Sequence, residues 1–291
     1  MNAARFLPLP RYGADGRTLV FIGLGLLVAA GNWTGILRNT LSVPLGYFLA
    51  FIACTATHNQ MHLPVFRSGF WNSLYQIALS FAIGQPPTGF ITAHNIRHHK
   101  HAESELDFVR TSLAGFRSNA LNIVLFPFIA IATMYREKKS DLADWKAKRP
   151  RLFRQALIER GVFYAVVVIL LIADWRATLL FLFLPWISAQ VVLVGMNLLQ
   201  HQDCDSGSEY DHSRNLTGKT ANFFLLNSGY HTAHHLRPAM HWSKLPEYHD
   251  REIAPRMNPA LNHRSLLGLL AERVRRPRYS HAKQDIKSHF T

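Results

Sequence analysis

Only two of the 291 residues are cysteine, which leaves neither a disulfide framework nor a four-cysteine zinc site. Charge is scarce too: 17% of residues are charged, against about 25% in a typical soluble domain. Acids are scarcer still, 18 Asp and Glu against 32 Lys and Arg. With 48% hydrophobic residues, so little charge excludes a disordered chain. No internal repeat or low-complexity tract is present. No small-residue cleavage site closes the apolar run that follows the arginines at positions 5, 11 and 17, so that run reads as retained rather than as a secretory leader. The length suits one large domain or two small ones.

What is present is unevenly spread. A mean hydropathy of +0.01 averages apolar runs with basic segments. Four stretches, at about 18–37, 41–57, 161–175 and 178–199, approach the ~20 apolar residues that a membrane span needs. Short turns, at about 32–40 and 174–176, join them into two hairpins, and the third stretch is expected to extend before Gly161. Only Arg38 and Arg176 lie in the hairpin turns, so the other 30 basic residues fall in the N-terminus, in 58–160 and in 201–291. By the positive-inside rule these regions are expected to face the cytoplasm.

Two further apolar stretches, at about 70–92 and 119–135, read as interfacial or re-entrant helices. The first is broken by Gln85, Pro86 and Pro87, and a crossing by the second would carry the nine Lys and Arg of 136–160 to the other side. The expectation is an all-α integral membrane protein, one domain over 1–291. It has four transmembrane helices in two hairpins and a helical cytoplasmic cap from 58–160 and 201–291. The basic stretch 136–160 reads as a face lying against anionic headgroups, and no nucleic-acid partner is expected.

The 16 histidines are clustered. His58 and His62 form H-x-x-x-H; His94, His98 and His99 form H-x-x-x-H-H; His231, His234 and His235 form H-x-x-H-H; and Asn197 precedes His201 by four residues. On a helix, residues four apart share a face, so 58/62, 94/98, 197/201 and 231/235 can each converge, leaving 99 and 234 for a neighbouring ion. Nine imidazoles and an Asn are too many for one ion and suit two. Such donors fit Zn, Cu, Fe or Ni, while a closed structural zinc needs four ligands and favours cysteine. The other seven, His101, His212, His241, His249, His263, His281 and His289, lack this spacing and read as ordinary polar residues. His101 is the closest case, because His98-His99-Lys100-His101 permits a shifted register.

Together these motifs and hairpins resemble the membrane fatty acid desaturase/hydroxylase superfamily over most of the chain. The stretch from Gly229 to Pro238 and the following His241-Trp242-Ser243-Lys244-Leu245-Pro246 resemble the bacterial acyl desaturase form of the third histidine motif. The resemblance implies a non-haem di-iron centre with ligands His58, His62, His94, His98, His99, His201, His231, His234 and His235, and Asn197 reaching iron through a water. It also implies O₂ as co-substrate. A separate ferredoxin-, rubredoxin- or cytochrome b5-like carrier with its reductase would supply electrons, since no fused redox domain fits in this length.

The implied substrate is a fatty acid or acyl lipid entering from the bilayer. Tyr47, Phe48 and Phe51 are candidates for setting tunnel depth. Arg97, Lys100 and Arg237 are candidates for an anionic head group, with plain surface charge as the alternative. Asp107, Glu103, Asp203 and Asn227 are candidates for orienting imidazoles. Desaturation comes first among the reactions, followed by oxidative decarboxylation of a free fatty acid to a terminal 1-alkene, and then hydroxylation. A non-catalytic membrane protein that binds metal or lipid is the alternative from another class.

Overall fold

The computed structural model describes residues 7–137 and 141–275; His281 and His289 lie outside them. The described residues are mostly helical, and their strands are a two-residue parallel pairing, Asn215–Leu216 with Asn262–His263.

The first hairpin is α1 (Asp15–Thr34) and α2 (Ser42–His62). Gly35 ends α1 in the left-handed region, at φ 85°, with its N–H on Asn32 O. Arg38 donates to the carbonyls of Asn32 and Trp33 at the helix end, where intrahelical donors run out. Buried Asn32 accepts from the Ser42 hydroxyl at 2.7 Å and donates to Ser42 O, stapling the two helices.

α3 (Gly69–Ile83) stops at Gly84, φ 75°, where a Cβ would collide with the Trp186 ring. Its last carbonyls do not meet water: Phe81 O accepts from Trp186 Nε1 and Ile83 O from Gln190 Nε2. Pro86 and Pro87 then prevent a further α turn, and a 3₁₀ turn at Pro87–Gly89 leads into a π-helix, Ile91–His98.

α4 (Asn119–Glu137) contains Pro127. α5 spans Asp141–Lys148, and α6 begins at Pro150 and runs to Thr178. The helix that carries the third apolar stretch therefore starts well before Gly161, in a charged segment. Asp174 has non-helical φ/ψ (−155°, 93°), so the chain breaks there, inside the expected second turn. Its carboxylate accepts from the N–H of Ala177 at 2.9 Å and caps the helix that follows. Trp33 Nε1 donates to the Thr178 hydroxyl, tying the two hairpin turns together.

After a π turn at Leu179–Phe183, α7 (Leu184–His201) returns. α4 runs antiparallel to it: Gln202 bonds Asn119 at one end, and a Cβ on Gly195 would touch Pro127 midway. The main core packs α1, α2, α3 and α7 against the segment around the third histidine motif, through Cys54, Leu79, Ile83, Ala189, Leu226 and Trp242.

Among the described residues, three helical runs are long and apolar enough to cross a membrane: Asp15–Thr34, Asn119–Arg136 and the 52-residue Pro150–His201, which is broken at Asp174. This differs from the expected set in two places. Asn119–Arg136 qualifies on its own composition, although the charge argument had set it aside. α2 is long enough, but the polar His58–His62 turn at its end dilutes its apolarity.

Candidate metal centre

Two histidine groups form at one end of α2 and α7. His58, His62, His94 and His234 bring their ring nitrogens within 4.8 Å of one another, and so do His98, His201, His231 and His235. In the first group His58 Nε2 lies 2.8 Å from His234 Nε2. In the second, His201 Nε2 lies 2.8 Å and His235 Nε2 3.1 Å from His231 Nε2. His99 bridges toward the first group, with Nε2 3.0 Å from both His94 Nε2 and His234 Nε2, and stacks on His235.

The third motif divides as helical spacing predicts: 231 and 235 share one group and 234 joins the other. The second motif does not. The expectation paired 94 with 98, yet these two fall in different groups. The cause is the π-helix, whose wider i→i+5 turn sets the N–H of His99 on His94 O. That turn brings 94 and 99 together and sends 98 to the far side. His101 is exposed and joins neither group.

The other histidines with described surroundings are placed elsewhere. His241 donates from Nε2 to buried Asp15 at 3.0 Å, beside Trp242 Nε1 on the same oxygen. His249 packs on Tyr230, and His263 lies near Glu272. His212 gives its backbone carbonyl to His201 Nδ1 at 3.2 Å.

Burial first, and neighbouring imidazoles second, hold His94, His231, His234 and His235 well below the usual histidine range, and His99 is lowered for the same reasons. They are neutral at neutral pH, the form that binds metal. Nε2 of His62 and of His98 is buried without a protein partner. All-imidazole donors, neutral and converging in two sets with orphaned nitrogens, fit two first-row divalent metals, iron among them.

Of the four residues expected to orient imidazoles, one does. Asp107 Oδ2 lies 3.0 Å from His98 Nδ1. Burial opposes the Asp107 charge, but His98 and the N–H groups of Val109 and Glu103 prevail and hold its carboxyl below the usual range. Glu103 instead grips Thr111, Asp203 pairs with Arg273, and Asn227 donates to Trp242 O. All three sit at positive φ, in tight turns beside the histidine segments.

A family model for fatty acid desaturase matches residues 32–265. The chain belongs to the fatty acid desaturase family. No curated protein matches it. As a desaturase-family chain it is placed among oxidoreductases of a membrane setting, and its two histidine groups are compatible with a di-iron site.

A cavity of about 1210 Å³, open mouth included, meets both groups of this desaturase-family chain through His58, His94 and His231. Its walls follow helical stripes: Phe51, Thr55 and His58 on α2, and Gln190, Val194 and Asn197 on α7. Asn197 lines it with its amide N–H committed to Val109 O at 2.8 Å, which leaves Oδ1 as its acceptor. No Lys, Arg, Asp or Glu lines the cavity among the described residues.

Arg97, Lys100 and Arg237 therefore lie off the cavity wall. Arg97 sits over Phe108, Arg237 over Tyr248, and Lys100 is exposed. Of the depth candidates, Phe51 lines the cavity, Phe48 packs on Phe224, and Tyr47 is not in the wall. Gln85 and Gln190, bonded to each other at 3.1 Å, also line it and were not anticipated. An amide flanked by apolar residues carries no sequence signal of its own.

Proposed function

We propose that the protein is an O₂-dependent di-iron oxidoreductase that desaturates the acyl chain of a fatty acid or acyl lipid. The observation that carries this reading is an apolar cavity in contact with both histidine groups. The metals would be held by His58, His62, His94, His99 and His234 on one side and by His98, His201, His231 and His235 on the other, with Asn197 beside them. Iron bound there would supply O₂ activation and hydrogen abstraction from an unactivated C–H bond.

The chain's own residues do the rest. Asp107 and the His212 carbonyl hold Nδ1 of His98 and His201, leaving each Nε2 for metal. The cavity walls align the chain and exclude water. Overall, two substrate hydrogens, one O₂, two external electrons and two protons give a double bond and two waters. The electrons come from a separate ferredoxin-, rubredoxin- or cytochrome b5-like carrier.

An uncharged wall favours desaturation over decarboxylation. A carboxylate drawn inside would lose its hydration with no Lys or Arg to pair with it. A mid-chain carbon carries no such cost, and the head group stays outside.

In this reading α1, α2 and the two limbs joined at Asp174 cross the bilayer, and α4 is re-entrant. Placing the basic 136–160 segment and the histidines on one cytoplasmic face of a bacterial inner membrane agrees with the positive-inside rule.

The test is mass spectrometry of lipids and headspace volatiles from cells expressing the protein. A new C=C within an acyl chain supports the proposal; a volatile 1-alkene or a hydroxy acid redirects it to decarboxylation or hydroxylation. Purified protein with zinc or no metal, and no O₂ uptake under reducing conditions, would sink it in favour of a metal- or lipid-binding role.

A further inference from the structure

We infer that Glu159 is a positioning residue for the second histidine motif and the cavity wall beside it, acting through Thr88. The inference rests on the functional reading above only in treating that cavity as the substrate site.

Glu159 lies on α6 and is 0% exposed. Its Oε2 accepts the N–H of Thr88 at 3.0 Å and its Oε1 the Thr88 hydroxyl at 2.7 Å. Gln155 Nε2 donates to Oε1 at 2.9 Å. Thr88 is itself buried, 1% exposed, in the middle of the Pro87–Gly89 turn.

The turn explains why a carboxylate stands there. Pro86 and Pro87 have no N–H, so the Thr88 amide is the first donor after the break, with no helical carbonyl ahead of it. Away from water, irregular backbone must be satisfied by protein groups. A carboxylate serves the N–H and the hydroxyl at once with separate oxygens, whereas a glutamine offers one acceptor oxygen. Burying a carboxylate is expensive unless its oxygens are paired, and here both oxygens are.

What the clamp holds is functional. Gly89 and Phe90, directly after Thr88, line the cavity. The π-helix that follows carries His94 and His99 toward one histidine group and His98 toward the other. A shift at Thr88 moves the cavity wall and donors of both groups together. Glu159 thus sets which carbon of a bound chain faces the metals, without touching either.

The test uses the purified full chain in nanodiscs as Glu159→Leu, Glu159→Gln, Thr88→Val and Glu159→Leu/Thr88→Val. One readout is Co(II) titration of metal-free protein, followed by the visible absorption of bound cobalt. It reports imidazole geometry without turnover. The other is the position of the new double bond. Thr88→Val is expected to bind two Co(II) about fivefold more weakly, with a shifted band and products spread to neighbouring carbons.

Glu159→Leu should be affected more, Glu159→Gln should fall between Glu159→Leu and the parent, and adding Thr88→Val to Glu159→Leu should change nothing further. Parent-like affinity, band and product position in Glu159→Gln and Thr88→Val overturn the inference, as do additive effects in the double variant. If Glu159→Leu does not accumulate, those two milder variants decide. A parent that binds two Co(II) but yields no O₂-dependent acyl product refutes the functional reading, and the cobalt readout still decides Glu159.

Discussion

His98 Nδ1 and Asp107 Oδ2 lie 3.0 Å apart, with the two side chains 1% and 0% exposed. An imidazole N–H donating to a carboxylate fixes its tautomer and turns the other nitrogen to the metal side. That other nitrogen, His98 Nε2, is buried without a protein partner. Asp107 is in turn held by the N–H groups of Glu103 and Val109, so the pair cannot easily swing apart.

Asp107→Asn should therefore weaken one metal site and spare the other. Loss of such a partner typically costs about 10–100-fold in metal affinity or activity. Competition titration should show one metal binding as in the parent and one bound at least tenfold more weakly. Two parent-like affinities would show that the carboxylate does not orient His98.

The division of the histidines predicts which variants lose which metal. His62→Ala and His234→Ala remove donors from one group, His98→Ala and His235→Ala from the other. Each should purify with about half the parent's metal, and turnover should vanish in all four. Full metal content with retained turnover in His98→Ala or His234→Ala would remove those residues from the ligand set. Loss of both metals from every variant would mean that the two groups do not bind independently.

Metal-free protein should lose stability on mild acidification. His94, His231, His234 and His235 are held below the ordinary value of 6.5, so the folded state resists protonation while the unfolded chain takes up protons normally. The unfolded state then binds more protons, and stability falls as pH drops through about 6.5 and below. Thermal unfolding of chelated protein between pH 8 and pH 5 measures this. A midpoint independent of pH across that window would contradict buried, neutral imidazoles.

Much of the site was legible because its spacing is local. Helical periodicity placed 58 with 62 and 231 with 235, apart from 234. It failed at 94 and 98 because a π-helix has no residue signature; the segment takes that form between a proline-broken turn and a tertiary clamp. The helices that form the two pairs were legible from apolar length, down to the break at Asp174. Glu159 and Thr88 were not, since 71 residues separate them and each alone is an ordinary polar residue in a greasy context. Glu103, Asp203 and Asn227 were noticed for the right neighbourhood and given the wrong partners. Their polar atoms serve the turns, and sequence proximity to a histidine does not say which way a side chain faces.

The cavity should limit acyl-chain length. Leu193 lines it on α7, between the level of Gln190 and that of Asn197. Four residues of helix, about 6 Å at 1.5 Å per residue, separate Leu193 from Asn197. Leu193→Trp should fill the cavity beyond that point and leave the histidines alone. The variant should keep its full metal content and lose activity on long acyl chains while retaining it on shorter ones, because only the distal part of the chain meets the new ring. A panel of acyl substrates of graded length, with products resolved by mass spectrometry, reads this directly. Uniform loss across all lengths with metal intact would mean that the ring blocks entry rather than depth. An unchanged length profile would mean that the acyl chain does not occupy this cavity, and the functional reading would lose the observation that carries it.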